Sequence, residues 1–360
     1  IQLSIIIISS MAKNKEFEVI NGNNFAKYSN LVFSEYLSKK EFTDAYRSDE
    51  NIKILKEVKN ERASSVWYVK KDFTLKENDV IFCNTEVVEL LFASLKSINN
   101  LHNLKLITHQ SDRTITKKLF SKKPSCISHW YSVNVVYQNP QLTPIPLGIN
   151  DFTFFDYMNE EILNKYFYKE KTSVEKLEKM YVNFNFNTNR RERSNLFEFF
   201  NKKKWAIVEY PHKDPIKYYE NIQKYKFVLC PWGNGFDTYR FWESLYLGSI
   251  PITKSHKAYK NFEDLPAVFV NNYKTLDIKS LDKKTNLVEE KLDIKYWINL
   301  INLNKVDSKE EIKISHKEYG FDKKLNNILT MGRIKSKLKI PKYYLSRYFN
   351  IKNYINYFKK

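Results

Sequence analysis

The chain has 360 residues, 28% of them charged and 42% hydrophobic, which predicts a globular protein with enough length for two ordinary domain cores. Its formal net charge of +19 favours anionic partners, although low-GC coding, rich in Lys, Asn, Ile, Tyr and Phe, also produces such a composition. No apolar run reaches the length of a membrane span, which is about 20 residues. Either the sequence is a fragment, or the residues before Met11 are not part of the natural protein. In both cases we expect no signal peptide.

The first part of the chain, to about residue 160, alternates strand-like and helical stretches. Strand-like runs occur at Ser65–Lys70, Asp79–Asn84, Leu104–His109 and Pro144–Asn150. An amphipathic helix is predicted at Glu86–Ser97, and a second helix from Ser111 or Asp112 through Phe120. This alternation is typical of an α/β fold with a parallel sheet.

Two titratable residues follow the third of these strands. His109 and Asp112 lie just past its carboxyl end, where open α/β sheets place functional groups. Taken singly, each has a structural interpretation, in which His109 packs in the core and Asp112 caps a helix. Taken together, they are our candidates for a general base.

The second half begins after a linker helix region at Asp151–Lys171. Before residue 225, strands are predicted at Lys179–Phe186 and Trp205–Tyr210, and helices at Glu192–Lys203 and Pro215–Lys224. Asp214 before Pro215 is a typical helix start. Arg191 or Arg193, near the start of the earlier helix, either meets a diphosphate or is solvated.

The most informative stretch is Lys226–Pro251, KFVLCPWGNGFDTYRFWESLYLGSIP. It predicts a strand, a loop rich in breakers, a helix capped by Asp237 or Thr238, and a second strand after Gly248. Three of the seven glycines of the chain lie in this stretch, where positive φ or close backbone approach is useful. A loop of this kind at a helix N-terminus is where open α/β sheets hold anions.

The helix of this stretch has two chemically different faces. At about 100° per residue, Phe241, Trp242 and Leu245 share one face, whereas Arg240 and Glu243 fall together on the opposite one. The structural interpretation of Arg240 and Glu243 is a surface ion pair that stabilises the helix by about 0.2–0.5 kcal/mol. The functional interpretation is an Arg/Glu pair beside an anion-binding loop.

The segment TYRFWESLYLGSIPI resembles the exostosin-type glycosyltransferase signature, in which a small residue precedes Arg, Glu follows three residues later, and a Gly and an Ile-Pro strand come next. It is similar, more loosely, to the α1,3-fucosyltransferase pattern, where a Lys would stand at Arg240. The clear resemblance covers Tyr225 to Pro266. It implies the GT-B architecture of two facing Rossmann-like domains with parallel sheets, here residues 1–165 on the acceptor side and 175–329 on the donor side.

The resemblance implies an inverting glycosyltransferase that moves a sugar from a UDP- or GDP-linked donor to a hydroxyl of a glycan or glycolipid. Arg240 would bind the diphosphate, which a guanidinium does bidentately, and Glu243 would accept from the ribose hydroxyls. A base on the acceptor side would be Asp112 or His109. The predicted donor-binding residues are Gly233, Asn234, Gly235, Asp237, Tyr239, Arg240, Glu243 and Arg193. Asp237 does not suit an anion-binding site, because its carboxylate repels a diphosphate. It caps the helix or binds the sugar instead.

No metal or other cofactor is expected. The sequence has no Asp-x-Asp, which argues against the metal-dependent GT-A type, and its six His and three Cys are scattered. The odd number of widely spaced cysteines favours a reducing compartment. We therefore expect a cytoplasmic enzyme.

The last thirty residues differ from the rest. Met331–Lys360 contains nine Lys or Arg, seven Tyr or Phe and no acidic residue. Three interpretations remain open: a helical tail that returns to the first domain, as the resemblance implies, a segment lying on an anionic membrane, and a nucleic-acid-binding tail. The third would make the protein a basic nucleic-acid binder rather than an enzyme. A GDP-fucose-dependent enzyme is the alternative within the transferases, and we expect no nucleic acid partner.

Overall fold

The computed structural model describes residues 17–46, 48–60, 63–150, 160–168, 175–211, 214–281, 289–303 and 310–330. The strands are β1 Leu31–Ser38, β2 Ile52–Asn60, β3 Ala63–Lys70, β4 Phe73–Lys76, β5 Val80–Asn84, β6 Leu104–His109, β7 Ile127–Ser132, β8 Leu142–Pro144, β9 Leu177–Val182, β10 Ala206–Val208, β11 Tyr225–Leu229, β12 Ile250–Lys254, β13 Val268–Val270 and β14 Glu311–Ile314. The α-helices are α1 Gly22–Lys27, α2 Lys39–Tyr46, α3 Val88–Leu95, α4 Lys117–Phe120, α5 Glu160–Leu163, α6 Arg190–Phe200, α7 Pro215–Lys224, α8 Tyr239–Tyr246 and α9 Ile294–Ile301. Residues 321–330 are also helical. The predicted basic tail at 331–360, most of the predicted linker and Met11 lie outside the described residues.

The first sheet is large, mixed and mostly parallel. Its seven strands have the order β2-β3-β1-β5-β6-β7-β8. From β1 to β8 the neighbours run parallel, whereas β3 is antiparallel to both β1 and β2. The prediction of a wholly parallel sheet was wrong at this edge, because only two residues separate β2 from β3 and so short a connection forces antiparallel pairing.

Two predicted elements of the first half are shorter in the structure. The predicted helix from Ser111 or Asp112 begins only at Lys117, because Ile115 forms a parallel β-bridge with Val135 that keeps the preceding chain extended. The predicted strand Pro144–Asn150 likewise ends at Pro144. The segment that carries Asp112 is therefore a loop rather than a helix start.

The second sheet is entirely parallel, with the order β10-β9-β11-β12-β13. In chain order this is 2-1-3-4-5, a doubly wound arrangement compatible with Rossmann-like folds. The predicted start of α7 is confirmed, since the Asp214 side chain accepts from the Ile216 amide at 2.9 Å. The predicted apolar face of α8 is also confirmed, because Phe241, Trp242 and Leu245 are buried.

The chain returns to the first half after α9. Strand β14, which the sequence did not predict in this charged region, pairs antiparallel with β4. Tyr319, Phe321 and Leu325 then pack into the same hydrophobic core as the first sheet. These residues fall inside the predicted domain 175–329, but they contact the other half of the molecule.

A single hydrophobic core connects the two sheets. It contains Phe82 and Ile107 from the first sheet together with Val228, Trp242 and Phe262 from the second half. Polar contacts reinforce the junction, since the Ile20 amide donates to the Tyr246 hydroxyl at 2.9 Å. Within the described ranges, no helix has the length and apolar character that crossing a bilayer requires.

Candidate functional site

The candidate site lies at the carboxyl edge of the second sheet, between β9 and β11. The chain order reverses here, since β9 leads through α6 to β10 on one side and β11 leads through α8 to β12 on the other. Doubly wound sheets bind ligands in the crevice outside such a switch point. The segments that border the crevice are residues 183–189 and 230–238.

Buried polar atoms without partners are concentrated in the second of these segments and in the first turn of α8, which follows it. In the part of the chain that the structure describes, six buried side-chain nitrogen or oxygen atoms have no hydrogen-bond partner. Three of the six are Trp232 Nε1, Thr238 Oγ1 and Arg240 Nε. Folded proteins satisfy most buried polar groups, so such a cluster calls for an explanation, and a ligand that pairs with these atoms provides one.

Arg240, in the first turn of α8, lies against two aromatic rings. Its guanidinium carbon is 5.9 Å from the ring centroid of Phe184 and 5.8 Å from that of Tyr218, which is the range of cation–π attraction. Burial opposes protonation, but the attraction of Tyr218, Cys230 and Glu243 raises the pKa of Arg240 above its usual value. The site therefore contains a charged guanidinium with an unpaired N–H group.

Glu243, one turn further along α8, is only 5% exposed, which excludes the surface ion-pair interpretation. One carboxylate oxygen accepts from the Tyr218 hydroxyl at 3.1 Å, and the other accepts from the Tyr219 hydroxyl at 3.5 Å. Burial raises the pKa of Glu243, while the charge of Arg240 acts to lower it. A contact of Glu243 with ribose hydroxyls stays a prediction, since tyrosine hydroxyls already contact both of its oxygens.

Arg193, on α6, holds the two border segments together. Its guanidinium donates to the carbonyl oxygens of Asn185 at 2.6 Å, Pro231 at 2.9 Å and Trp232 at 3.1 Å. Burial, and then repulsion by Arg240, lowers the pKa of Arg193 to about 9. Arg193 therefore lies at the site, but its hydrogen bonds shape the crevice rather than leave it free to bind a diphosphate.

The loop before α8 is not the open row of amides that the sequence predicted. The Gly233 amide donates to the Gly235 carbonyl at 3.1 Å. The amides of Phe236 and Asp237 both donate to Asn134 Oδ1, at 2.8 and 3.2 Å. Because these N–H groups have protein acceptors, they cannot also bind phosphate. Side chains, above all Arg240 in the helix that follows, are therefore the better candidates for contact with an anion.

Asn134 explains why residue 235 is glycine. A Cβ atom on Gly235 would lie 2.8 Å from both terminal atoms of the Asn134 amide, a distance that real Cβ contacts do not reach. Asn134 itself has φ of +55°, a conformation that Asn tolerates better than most residues. Its Nδ2 donates to the Ser111 carbonyl at 3.4 Å. The glycine therefore permits close docking of the loop onto the first half of the chain.

Asp237 is a buried structural link, and its contacts argue against the predicted binding of the donor by its carboxylate. Its carboxylate accepts from the Leu147 amide at 2.8 Å, the Thr238 amide at 2.8 Å and the Trp242 indole at 2.9 Å. Burial raises the pKa of Asp237 to about 7, although these donors favour the charged form. The contact with Leu147 ties the start of α8 to the first half of the chain.

His109 is also occupied by structural contacts, which argue against its predicted role as a general base. The side chain is 1% exposed, its Nδ1 accepts from the Gln110 amide at 2.8 Å, and its Nε2 lies 3.2 Å from the Pro146 carbonyl. Because Nδ1 accepts, Nε2 carries the proton and donates to that carbonyl. Burial lowers the pKa of His109 to about 4, and the neutral ring has no lone pair left for a substrate.

Asp112, in contrast, is exposed and lies next to the donor-side loop. Its Oδ2 accepts from Asn234 Nδ2 at 3.2 Å. The neighbouring Arg113 fixes this segment, since it forms an ion pair with Glu89 at 2.5 Å and donates to the Thr85 carbonyl at 3.3 Å. The structure thus brings Asp112 and Asn234 together.

Three contributors to the site were not assigned a role from the sequence: Phe184, Tyr218 and Asn134. Phe184 follows the carboxyl end of β9, so the rule that ligands bind at strand ends could have identified it. Tyr218 lies inside a helix and contacts Arg240 only through tertiary packing. Tyr239, predicted to bind the donor, is partly buried and packs against the core between the sheets.

A scan against protein-family models finds no match to this chain, and no curated protein matches its sequence. The site must therefore be interpreted from its own geometry. Among the residues that the structure describes, no group of three or more His, Cys, Asp or Glu side chains is arranged to hold a metal ion.

Proposed function

We propose that the protein is a glycosyltransferase that moves a sugar from a nucleotide-sugar donor to a hydroxyl of a glycan or glycolipid acceptor. In this proposal the two sheets belong to facing Rossmann-like domains of the GT-B type, with the donor at the second sheet. The observation that carries the proposal is Arg240, a charged side chain with an unpaired buried N–H at the switch point of a doubly wound sheet. The resemblance of residues 238–252 to the exostosin-type signature supports it.

The chemistry requires stabilisation of a leaving diphosphate as the bond from the anomeric carbon to oxygen breaks. The guanidinium of Arg240 supplies positive charge where negative charge develops, and it does so from a fixed position against Phe184 and Tyr218. Glu243 holds Tyr218 by a hydrogen bond and keeps the guanidinium charged. We propose no metal in this step.

On the acceptor side, Asp112 is the remaining candidate for the base. It would take the proton of the acceptor hydroxyl while that oxygen attacks the anomeric carbon and the diphosphate leaves from the opposite face. One base and no protein nucleophile give inversion at that carbon. The contact between Asp112 and Asn234 supports this assignment, because it brings the carboxylate to the donor-side loop.

Thermal unfolding in the presence of UDP- and GDP-sugars tests the proposal. A ligand that binds only the folded state raises the melting temperature, and the rise grows with the ratio of its concentration to its dissociation constant. We expect one nucleotide class to stabilise the wild type, UDP for an exostosin-like enzyme and GDP for a fucosyltransferase-like one. Arg240→Gln should lose most of this shift, and Arg240→Lys should recover only part of it, because Lys lacks the planar fork.

The matched control is Lys202→Gln, which removes an exposed cation just after the nearby helix α6. It should keep the wild-type response. The proposal fails if neither nucleotide class stabilises the protein, or if Arg240→Gln responds as the wild type does.

The proposal also places the enzyme in the cytoplasm, with residues 331–360 in contact with an anionic membrane. Truncation after Thr330 should then abolish binding to anionic vesicles but leave nucleotide-sugar binding intact. Loss of nucleic-acid affinity in the same truncation, with steep salt dependence in the full chain, would support the rival nucleic-acid-binding function instead.

A further inference from the structure

Aromatic rings cluster at the carboxyl edge of the second sheet beside Phe184, and one of them is open to solvent. The ring centroid of Tyr210 lies 4.8 Å from that of Phe197 and 6.2 Å from that of Phe186. Phe186 in turn lies 6.1 Å from Phe184, the ring that contacts Arg240. Tyr210 is nevertheless 62% exposed. We call Phe186, Phe197 and Tyr210 the aromatic platform.

The aromatic platform lies beside the switch-point crevice. Tyr210 follows β10, and Asn183 Nδ2, just past the end of β9, donates to its carbonyl at 3.0 Å. Strand β10 is two positions from β11, whose loop leads to Arg240, and two strand spacings amount to about 10 Å. A ribose and its phosphate ester linkage can span such a separation between a base and a diphosphate.

We propose that the aromatic platform stacks the nucleobase of the nucleotide sugar, with the ring of Tyr210 against the face of the base. The inference rests on the proposed function, since it takes Arg240 as the diphosphate site. Every nucleobase has a π-face, so an exposed aromatic ring binds one without base-specific hydrogen bonds. Phe197 packs on Tyr210 and keeps its ring in position before the ligand arrives.

Fluorescence and calorimetric titrations of the full chain with UDP, GDP and inorganic pyrophosphate test this assignment. Tyr210→Ala should raise the dissociation constant of the preferred nucleoside diphosphate by about 5- to 100-fold, the effect of removing one stacking ring. It should leave the affinity for pyrophosphate unchanged, because pyrophosphate has no base. Tyr210→Phe should bind as the wild type does, since stacking needs only the ring.

Two further variants make the test specific. Tyr210→Trp places an indole on the platform, and its emission should be quenched by the nucleoside diphosphate and not by pyrophosphate. Leu303→Ala is the matched control, because Leu303 is 56% exposed and has no contact with the platform rings among the contacts described. Its affinities should equal those of the wild type.

Failure of the aromatic platform and failure of the proposed function give different results. If Arg240→Gln loses nucleotide affinity while Tyr210→Ala keeps it, the function stands and the stacking assignment is wrong. If Tyr210→Ala weakens pyrophosphate as much as the nucleotide, the stacking assignment is also wrong. If the wild type binds neither nucleotides nor pyrophosphate, both proposals fall.

Discussion

Two basic side chains lie at the carboxyl edges of the two sheets: His109 is the last residue of β6, and Arg240 is in the first turn of α8, after the loop that follows β11. Both ring nitrogens of His109 have backbone partners, and burial lowers its pKa to about 4. The Arg240 Nε atom has no partner, and its guanidinium stays charged between aromatic rings. Position at a strand end is therefore a weak indicator of function by itself, whereas the hydrogen-bond partners of the side chain discriminate between the two.

The largest expected effect, on the rate of sugar transfer, separates the two residues predicted as the base. Asp112→Asn should reduce the rate of sugar transfer by about 10²- to 10⁴-fold, the usual contribution of a general base. His109→Gln should reduce it by less than tenfold, because His109 has no lone pair for a substrate. Single-turnover rates with saturating donor measure both.

Donor affinity serves as the control for this pair of variants, since neither side chain contacts the donor in our proposal. A large loss of rate in His109→Gln, with no loss in Asp112→Asn, would show that His109 and not Asp112 is the base.

The next effect concerns the stability that Arg193 provides. Arg193→Met should lower the free energy of unfolding by about 3–5 kcal/mol, because three buried carbonyl oxygens lose a charged donor. Urea unfolding measures the change. Arg191→Met, at an exposed position of the same helix, should change stability by no more than about 0.5 kcal/mol. Equal effects of the two substitutions would contradict the role assigned to Arg193.

A third effect is the pH dependence of stability caused by His109. Its pKa is about 4 in the folded state and about 6.5 in the unfolded chain. The unfolded chain therefore binds more protons between these two pH values. His109 therefore contributes stability above pH 6.5, about 3 kcal/mol at most, which is lost as the pH falls towards 4. Asp237, with its raised pKa of about 7, contributes with the opposite sign: its stability is present below pH 3.8 and is lost as the pH rises through 7.

Urea unfolding of the wild type and of His109→Gln at pH 7 and pH 5 separates the contribution of His109 from that of Asp237, because Asp237 is present in both proteins. The loss of stability on acidification should be smaller in the variant. An identical loss in both proteins would mean that His109 titrates normally.

The smallest effect concerns the docking of the loop onto Asn134. Gly235→Ala should destabilise the protein by about 1–3 kcal/mol, because the new methyl group overlaps the Asn134 amide. The double variant with Asn134→Ala should lose less than the sum of the two single losses, since the overlap is then removed. Strict additivity in urea unfolding would show that the two residues do not touch.

Much of the second half could be predicted from local signals. Asp214 before Pro215, the apolar face of α8 and Gly248 after it are short-range features, and each corresponds to an observed element. β14 was missed because a four-residue charged strand is defined by its partner β4, about 240 residues away in the sequence. The antiparallel edge of the first sheet was missed because β2 has charged residues on both faces.

The site was predictable in its location and less so in its contacts. The resemblance and the strand-end rule indicate the segment around Arg240, but they give no information on which amides are already paired. The docking of Asn134 onto the loop and the contacts of Asp237 with Leu147 join distant parts of the chain. Such contacts depend on how the two sheets pack, which the spacing of residues in one sequence does not determine.

The pairing of β14 with β4 has a consequence for the synthesis of the chain. The core of the first sheet includes Ile314, Phe321 and Leu325, so a nascent chain exposes part of that core until the ribosome has added residues beyond 325. Chains that expose apolar surface and unpaired strand edges during synthesis are prone to aggregate. Production of the first half alone should therefore yield an insoluble fragment, and its solubility should improve when a peptide covering residues 310–330 is supplied with it.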